Sequence, residues 1–373
     1  MKPRHYLKGL TSIRFILALL VLLQHCNQNL KSFDINWFYH SVILHRGEFA
    51  VECFFMLSGF LLTHLAHLEY KEFGRINFRS FFIRRILRIF PLYYWAVFLG
   101  YLSLGVLYPY LMGKNYLDFE ILEGLPYHIF FLPNWIIAKH LEGVGSLYAL
   151  WSIGVEEQFY IFFPLLCSIL FRKKKPFIWF GVIAMLFLII YNLIQSEYPS
   201  SFDVVYRYFF ETLKFHFMLI GATFALLYQR YPSQMNFINS SPLWQSVILG
   251  LFLFLLTTNY LTQWDIICAS IFCFFLISIT GESHIINVWE NRYFKYLGSI
   301  SFGIYVYHPL VSYPLRYLLE FNATIFTMTS QYPILYYVAE VILTIIIASI
   351  SYEFYERRFL DMKKKYTLGR QKA

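Results

Sequence analysis

Arg14 and His25 stand eleven residues apart in the stretch TSIRFILALLVLLQHCNQNL, which is apolar enough to cross a membrane. At 3.6 residues per turn, eleven residues make almost three turns. Both side chains therefore leave one face of a helix, about 16 Å apart along its axis. A guanidinium at one end of a span and an imidazole deep within it are expensive in lipid, so such groups usually face a protein interior and mark a functional path. An imidazole, with an ordinary pKa of about 6.5, suits a general base. The structural alternatives are that Arg14 snorkels to the headgroups and that His25 hydrogen-bonds a neighbouring helix.

A second group opens a later apolar run, FIRRILRIFPLYYW. Arg85 and Arg88 lie three residues apart on one helical face, flanked by Arg84. Guanidinium groups in that arrangement suit bidentate binding of phosphate; plain anchoring at a membrane surface is the other reading. Pro91 is expected in the first helical turns, where it breaks few bonds. A third group is LWSIGVEEQFYIFFPLL. Glu156 and Tyr160 share a face there, while Glu157 points about 100° away. Counted along ideal helices, Glu156, His25 and His308 (in SISFGIYVYHPLV) rise about 22, 20 and 18 Å above the cytoplasmic end of their spans. Three titratable groups at one depth predict a shared polar site. Ser58 and Gly59, in ECFFMLSGFLLTHL, permit close helix approach.

The elements that must position these groups follow from composition. The 373 residues are 58% hydrophobic and 14% charged, against about 25% charged in soluble domains. An all-α polytopic membrane protein is predicted, a single unit with no room for a sizeable soluble domain. The net charge of +9 sits between apolar runs, which argues against nucleic acid as a partner. The five cysteines lie in apolar stretches with no metal-ligand spacing, so no metal is expected. The N-terminus shows no small-residue cleavage site and reads as a retained first span. Ten spans are expected, at 12–29, 47–68, 89–111, 149–171, 177–195, 206–228, 243–259, 264–280, 296–318 and 333–356, with 125–138 as a re-entrant or interfacial piece. With both termini inside, roughly 23 of the 31 basic residues fall in inner segments, the asymmetry that sets orientation. Both termini are then cytoplasmic, and 112–148 is an outer segment leaning acidic through Asp118, Glu120, Glu123 and Glu142.

Five pieces, LTSIRFILALLVLLQH, VECFFMLSGFLL, RRILRIFPLYYW, LWSIGVEEQFYIFFPLL and LGSISFGIYVYHPLV, in this order and spacing, resemble the acyltransferase-3 family of integral membrane O-acyltransferases. The resemblance runs from about residue 7 to 358 and leaves 359–373 as a basic tail. Glu52 departs from it, because relatives often carry Asp there. Some relatives also carry a C-terminal esterase-like domain, for which the short tail here leaves no counterpart. The resemblance implies transfer of an acyl group, commonly acetyl, from cytoplasmic acyl-CoA to a hydroxyl on an extracytoplasmic glycan or lipid-linked sugar. It thus implies a multi-pass cell-membrane protein that modifies envelope polysaccharide, with acyl-CoA as donor substrate and no bound cofactor. By motif, Arg14 and His25 match the family's Arg–x10–His pair, Arg85 and Arg88 its Arg-x-x-Arg, and Glu156 its acidic position before Phe-Tyr.

On this reading Arg14, Arg85 and Arg88 hold the donor's phosphates. The flexible arm then climbs to His25, the general base, with an acyl-histidine intermediate left open. Glu156 orients His25 as a carboxylate does in a triad, and His308, Ser58 and Tyr160 are candidate substrate-binding residues. A sugar-lipid flippase would also place ionisable groups in mid-membrane, but it predicts paired repeats with broken helices, and no internal repeat is visible in the sequence.

Overall fold

A few polar residues set the helix ends. The Asn77 side chain accepts from the Ser80 backbone N–H at 3.0 Å, and Gly74, at φ 67°, closes the preceding helix with its N–H on Tyr70 O. Asn291 and Asn322 cap two later helices in the same way. The computed structural model describes residues 7–35, 41–113, 117–140, 144–197, 204–258, 265–280 and 289–366. Among them there is no strand. Glu142 and the end of the basic tail lie outside the described residues.

In chain order the helices are α1 (Leu10–Lys31), α2 (Gly47–Phe73), α3 (Phe78–Leu102), α4 (Ile121–Ile129), α5 (Pro133–Lys139), α6 (Leu150–Leu170), α7 (Pro176–Glu197), α8 (Val204–Thr212) and α9 (Phe215–Arg230). There follow α10 (Pro232–Ser240), α11 (Pro242–Thr257), α12 (Asp265–Ser278), α13 (Arg292–Ser299), α14 (Ser301–Phe321), α15 (Ala323–Gln331), α16 (Ile334–Ser351) and α17 (Arg357–Lys363). Helix is present at each of the ten predicted positions. By length and hydropathy, however, seven of the described segments can cross a membrane, or eight if α10 and α11, bent by 80°, count as one. α12 has 14 residues. α14 has 21 but carries His308, Arg316, Glu320 and two prolines, which lower its hydropathy.

α1 is the central element, in contact with α2, α13, α14 and α16. α2 crosses α9 with their backbones touching. A Cβ at Gly59 would lie 1.9 Å from Met218 O, and one at Gly221 2.0 Å from Met56 O, so only glycine fits at the crossing. The reading of Gly59 as a packing residue stands. All five cysteines are free thiols buried in the helix packing.

The structure departs from the sequence expectations in two places. α3 begins at Phe78, eleven residues before the expected start. The Asn77 cap starts it in an arginine-rich turn that hydropathy excludes from a span, so Pro91 lies in the helix interior. The span expected at 206–228 is interrupted at 213–214, where Lys214 is non-helical. Residues 125–138, read from the sequence as a re-entrant or interfacial piece, form parts of α4 and α5, nine and seven residues long and too short to cross a membrane. They join at Phe131, whose φ of 57° is a strained left-handed conformation for a bulky residue. Its ring stacks on Tyr93 at 4.4 Å. α4 docks on α3 through the Tyr93 hydroxyl, which donates to His128 O at 2.9 Å, and through Tyr101 Oη, 3.0 Å from His128 Nδ1. Burial pushes the His128 imidazole down to about 4, and its Nε2 is buried with no partner.

Candidate active site

Four helices bring the predicted anion ligands together. Arg14 from α1, Ser58 from α2, Arg85 and Arg88 from α3, and Glu156 and Tyr160 from α6 line one cavity of about 110 Å³. Glu156 Oε1 accepts from Ser58 Oγ at 2.8 Å, and its Oε2 accepts from the Tyr160 hydroxyl at 2.9 Å. The Arg85 guanidinium lies 5.8 Å from the Tyr160 ring centre and that of Arg88 6.0 Å from Phe302. Arg85 Nε is buried without a hydrogen-bond partner. Among the described residues, no carboxylate is ion-paired with Arg14, Arg85 or Arg88. Arg84, by contrast, is spoken for: it meets Glu69 at 3.1 Å and donates to Tyr366 O at 2.9 Å. Guanidinium donors that line a cavity without an ion-paired carboxylate can accept an anion, phosphate above all.

His25 opens elsewhere. It lines a second cavity of about 600 Å³, together with Gln24, Gln28, Tyr148, Lys214 and Ser312. That size fits a small-molecule ligand. The His25 ring centre is 6.3 Å from Tyr148 and 5.0 Å from His308. His308 Nδ1 donates to Tyr305 O at 2.7 Å, a bond to an acceptor-only carbonyl that fixes the proton on Nδ1 in the neutral ring. Its Nε2 is left buried and without a partner. His308 lines neither cavity; it stands behind His25. Lys214 is held by Glu48 at 2.7 Å and Glu52 at 2.6 Å, which accounts for a carboxylate at position 52.

Tyr305 and Val51 line both cavities and form their common wall. The Tyr305 hydroxyl hydrogen-bonds Ser152 Oγ at 2.6 Å and Ala149 O at 3.2 Å, which fixes the ring in that wall.

The structure therefore brings Arg14, Arg85, Arg88, Ser58, Glu156 and Tyr160 together, and separately His25 with His308. It does not bring Glu156 to His25. The expected polar site shared by His25, Glu156 and His308 is corrected: similar depth on ideal helices ignores which way a side chain turns, and Glu156 turns to Ser58 and the arginines. Among the described residues no carboxylate hydrogen-bonds His25. Sequence reasoning passed over Tyr305, Lys214 and Glu356, the last of which is buried within electrostatic reach of Arg88. Lys214 carried a usable signal, a cation inside an apolar run. Tyr305 carried none, being one of 31 tyrosines.

A family profile described as an acyltransferase domain, acyltransferase-3, matches residues 7–353. A provisionally named O-acetyltransferase of Staphylococcus aureus (strain COL) is 28% identical over 381 residues, covering 96% of this chain and 58% of its own length. The O-acetyltransferase OatA of Staphylococcus aureus (strain NCTC 8325 / PS 47) is 26% identical over 373 residues, covering 95% of this chain and 57% of its own. The chain thus spans under three fifths of the length of these curated relatives. No solved structure matches it significantly.

Proposed function

Because the chain belongs to the acyltransferase-3 family, we propose that it is a membrane O-acyltransferase. It moves an acyl group, acetyl in the first place, from cytoplasmic acyl-CoA to a hydroxyl of an extracytoplasmic or lipid-linked glycan. The chain acts as one membrane unit in the cell membrane, crossing it ten times with both termini cytoplasmic, the orientation that the basic segments favour. The observation that carries the reading is the pair of cavities meeting at Tyr305, one supplied with arginines and the other with His25.

The donor's phosphates sit against Arg14, Arg85 and Arg88, and the thioester reaches the Tyr305 wall. The acceptor occupies the histidine cavity, whose tyrosines and amides suit sugar faces and hydroxyls. His25 takes the proton of the acceptor hydroxyl as its oxygen attacks the thioester carbonyl. The C–O bond forms, the C–S bond breaks, and the thiolate of coenzyme A leaves with the proton returned by His25. His308 buttresses the His25 ring, and Glu156 holds Ser58 and Tyr160 in place at the arginine cavity.

The test is transfer of label from radiolabelled acetyl-CoA into surface or lipid-linked glycan in membranes carrying the chain. Label in glycan above that of membranes lacking the chain is expected. Its absence, with the protein present and folded, contradicts the function.

A further inference from the structure

The last described turn of the chain carries three lysines in a row, Lys363, Lys364 and Lys365, of which one does not behave as a surface charge. Arg357 is paired with Glu353 at 2.7 Å and Lys364 with Asp361 at 2.6 Å. These are solvated pairs along the outside of α17. Lys363 has no carboxylate partner among the described residues. It is partly buried and lies three residues before Tyr366, whose carbonyl accepts from Arg84 at 2.9 Å, outside the lining of the arginine cavity but within electrostatic reach of its arginines.

The position of Lys363 is held, not incidental. α17 packs along α3. The turn that follows it is tied down by Arg84, which donates to Tyr366 O at 2.9 Å. One segment earlier, the Tyr355 hydroxyl donates to Pro91 O at 3.2 Å. Together these bonds hold residues 355–366 against the arginine-bearing face of α3.

Placing an ammonium beside unpaired guanidinium groups is unfavourable unless something negative shares the space. Among the described residues, only Arg84 of the four arginines has a carboxylate at ion-pair distance, and Arg85 Nε is a buried donor with no acceptor. Glu156 and Glu356 lie within electrostatic reach of the cluster, yet with Glu69 they are three carboxylates against four guanidinium groups and an ammonium, which leaves a net positive charge that suits a polyanion.

We propose that Lys363 is a fourth cationic ligand, with Arg14, Arg85 and Arg88, for the phosphate end of the acyl donor. This rests on the reading of the arginine cavity as the donor site, and it extends that site to a residue beyond the matched stretch 7–353. The α17 segment then contributes to donor recognition as well as to orientation in the membrane. A compact ammonium binds phosphate as a point charge, while the arginines supply the planar forks.

The experiment measures binding of coenzyme A to the full chain in nanodiscs of neutral lipid, for wild type, Lys363→Gln and Lys363→Arg, with melting temperature as the folding control. Lys363→Gln should weaken binding about tenfold, the effect of one lost charge-assisted bond, and Lys363→Arg should restore most of it. With acetyl-pantetheine, which lacks the nucleotide phosphates, turnover of the Gln variant should match wild type. Wild type that binds coenzyme A and a folded Gln variant that binds it equally overturn the role of Lys363 alone. Wild type that binds no coenzyme A overturns the donor-site reading and the inference with it. A Gln variant that loses only retention of anionic lipid, with coenzyme A affinity unchanged, assigns the lysine to headgroups and overturns the proposal.

Discussion

Arg14 and His25 leave the same face of α1 but open into different cavities, and Tyr305 stands in the wall between them. On the proposed function, a donor held by the arginines and an acceptor held beside His25 would meet at that wall. Tyr305→Ala should join the cavities and admit water to the thioester. The ratio of acetyl-CoA hydrolysis to acyl transfer, measured with and without acceptor, should rise severalfold. Tyr305→Phe keeps the ring and loses the bonds to Ser152 and Ala149, so it should change the ratio less. An unchanged ratio in a folded Ala variant contradicts the partition.

A donor-binding role for the arginine pair on α3 and mere anchoring differ in the geometry they require. Replacing Arg85 and Arg88 together by Lys keeps the charge and removes the bidentate fork. Donor KM should rise about tenfold or more, with a smaller change in saturated turnover, because these residues sit away from His25. Wild-type kinetics in inside-out vesicles would return both residues to membrane anchoring.

Glu156 and Glu157 are adjacent in sequence and unlike in setting. Glu156 accepts from Ser58 and Tyr160 and lines the arginine cavity. Glu157 is buried with Oε1 unpartnered and lines neither cavity described above. Hydrogen bonds to a charged group contribute about 1.5–3 kcal/mol each. Glu156→Gln should therefore lower kcat/KM by an order of magnitude or more, and Glu157→Gln by about threefold at most. Equal losses would dissolve the distinction.

Much of the arginine cavity was legible in the sequence, because its members are charged residues at helical spacing. Arg14, Arg85, Arg88 and Glu156 announce themselves inside apolar runs, and periodicity fixes which of them share a face. The partition was not legible. Whether Glu156 turns toward His25 or toward Ser58 depends on how α6 is rotated against α2, which one helix's own period does not encode. The helices themselves were readable from hydropathy. The early start of α3 and the break at Lys214 were not, since caps and ion pairs decide them against the hydropathy signal.

The docking of α4 carries a pH dependence. His128 has its imidazole lowered from its ordinary value to about 4, so the undocked form binds the proton more readily. The stabilisation from its neutral, buried ring is complete above a pH of about 6.5 and is lost as pH falls toward 4. Protease protection of residues 121–139 should fall across that window in wild type, and the fall should be smaller in His128→Gln. The same fall in both would assign it to other groups.

The central claim is that His25 performs the chemistry in a chamber apart from the donor's phosphates. The most direct test is His25→Ala in nanodiscs, with coenzyme A binding and acetyl transfer measured on one preparation. Binding should stay within about twofold of wild type, since the arginine cavity is untouched, while transfer falls by roughly 10²–10⁴, the range for loss of a general base. Transfer within about threefold of wild type in a folded, donor-binding variant would contradict the account.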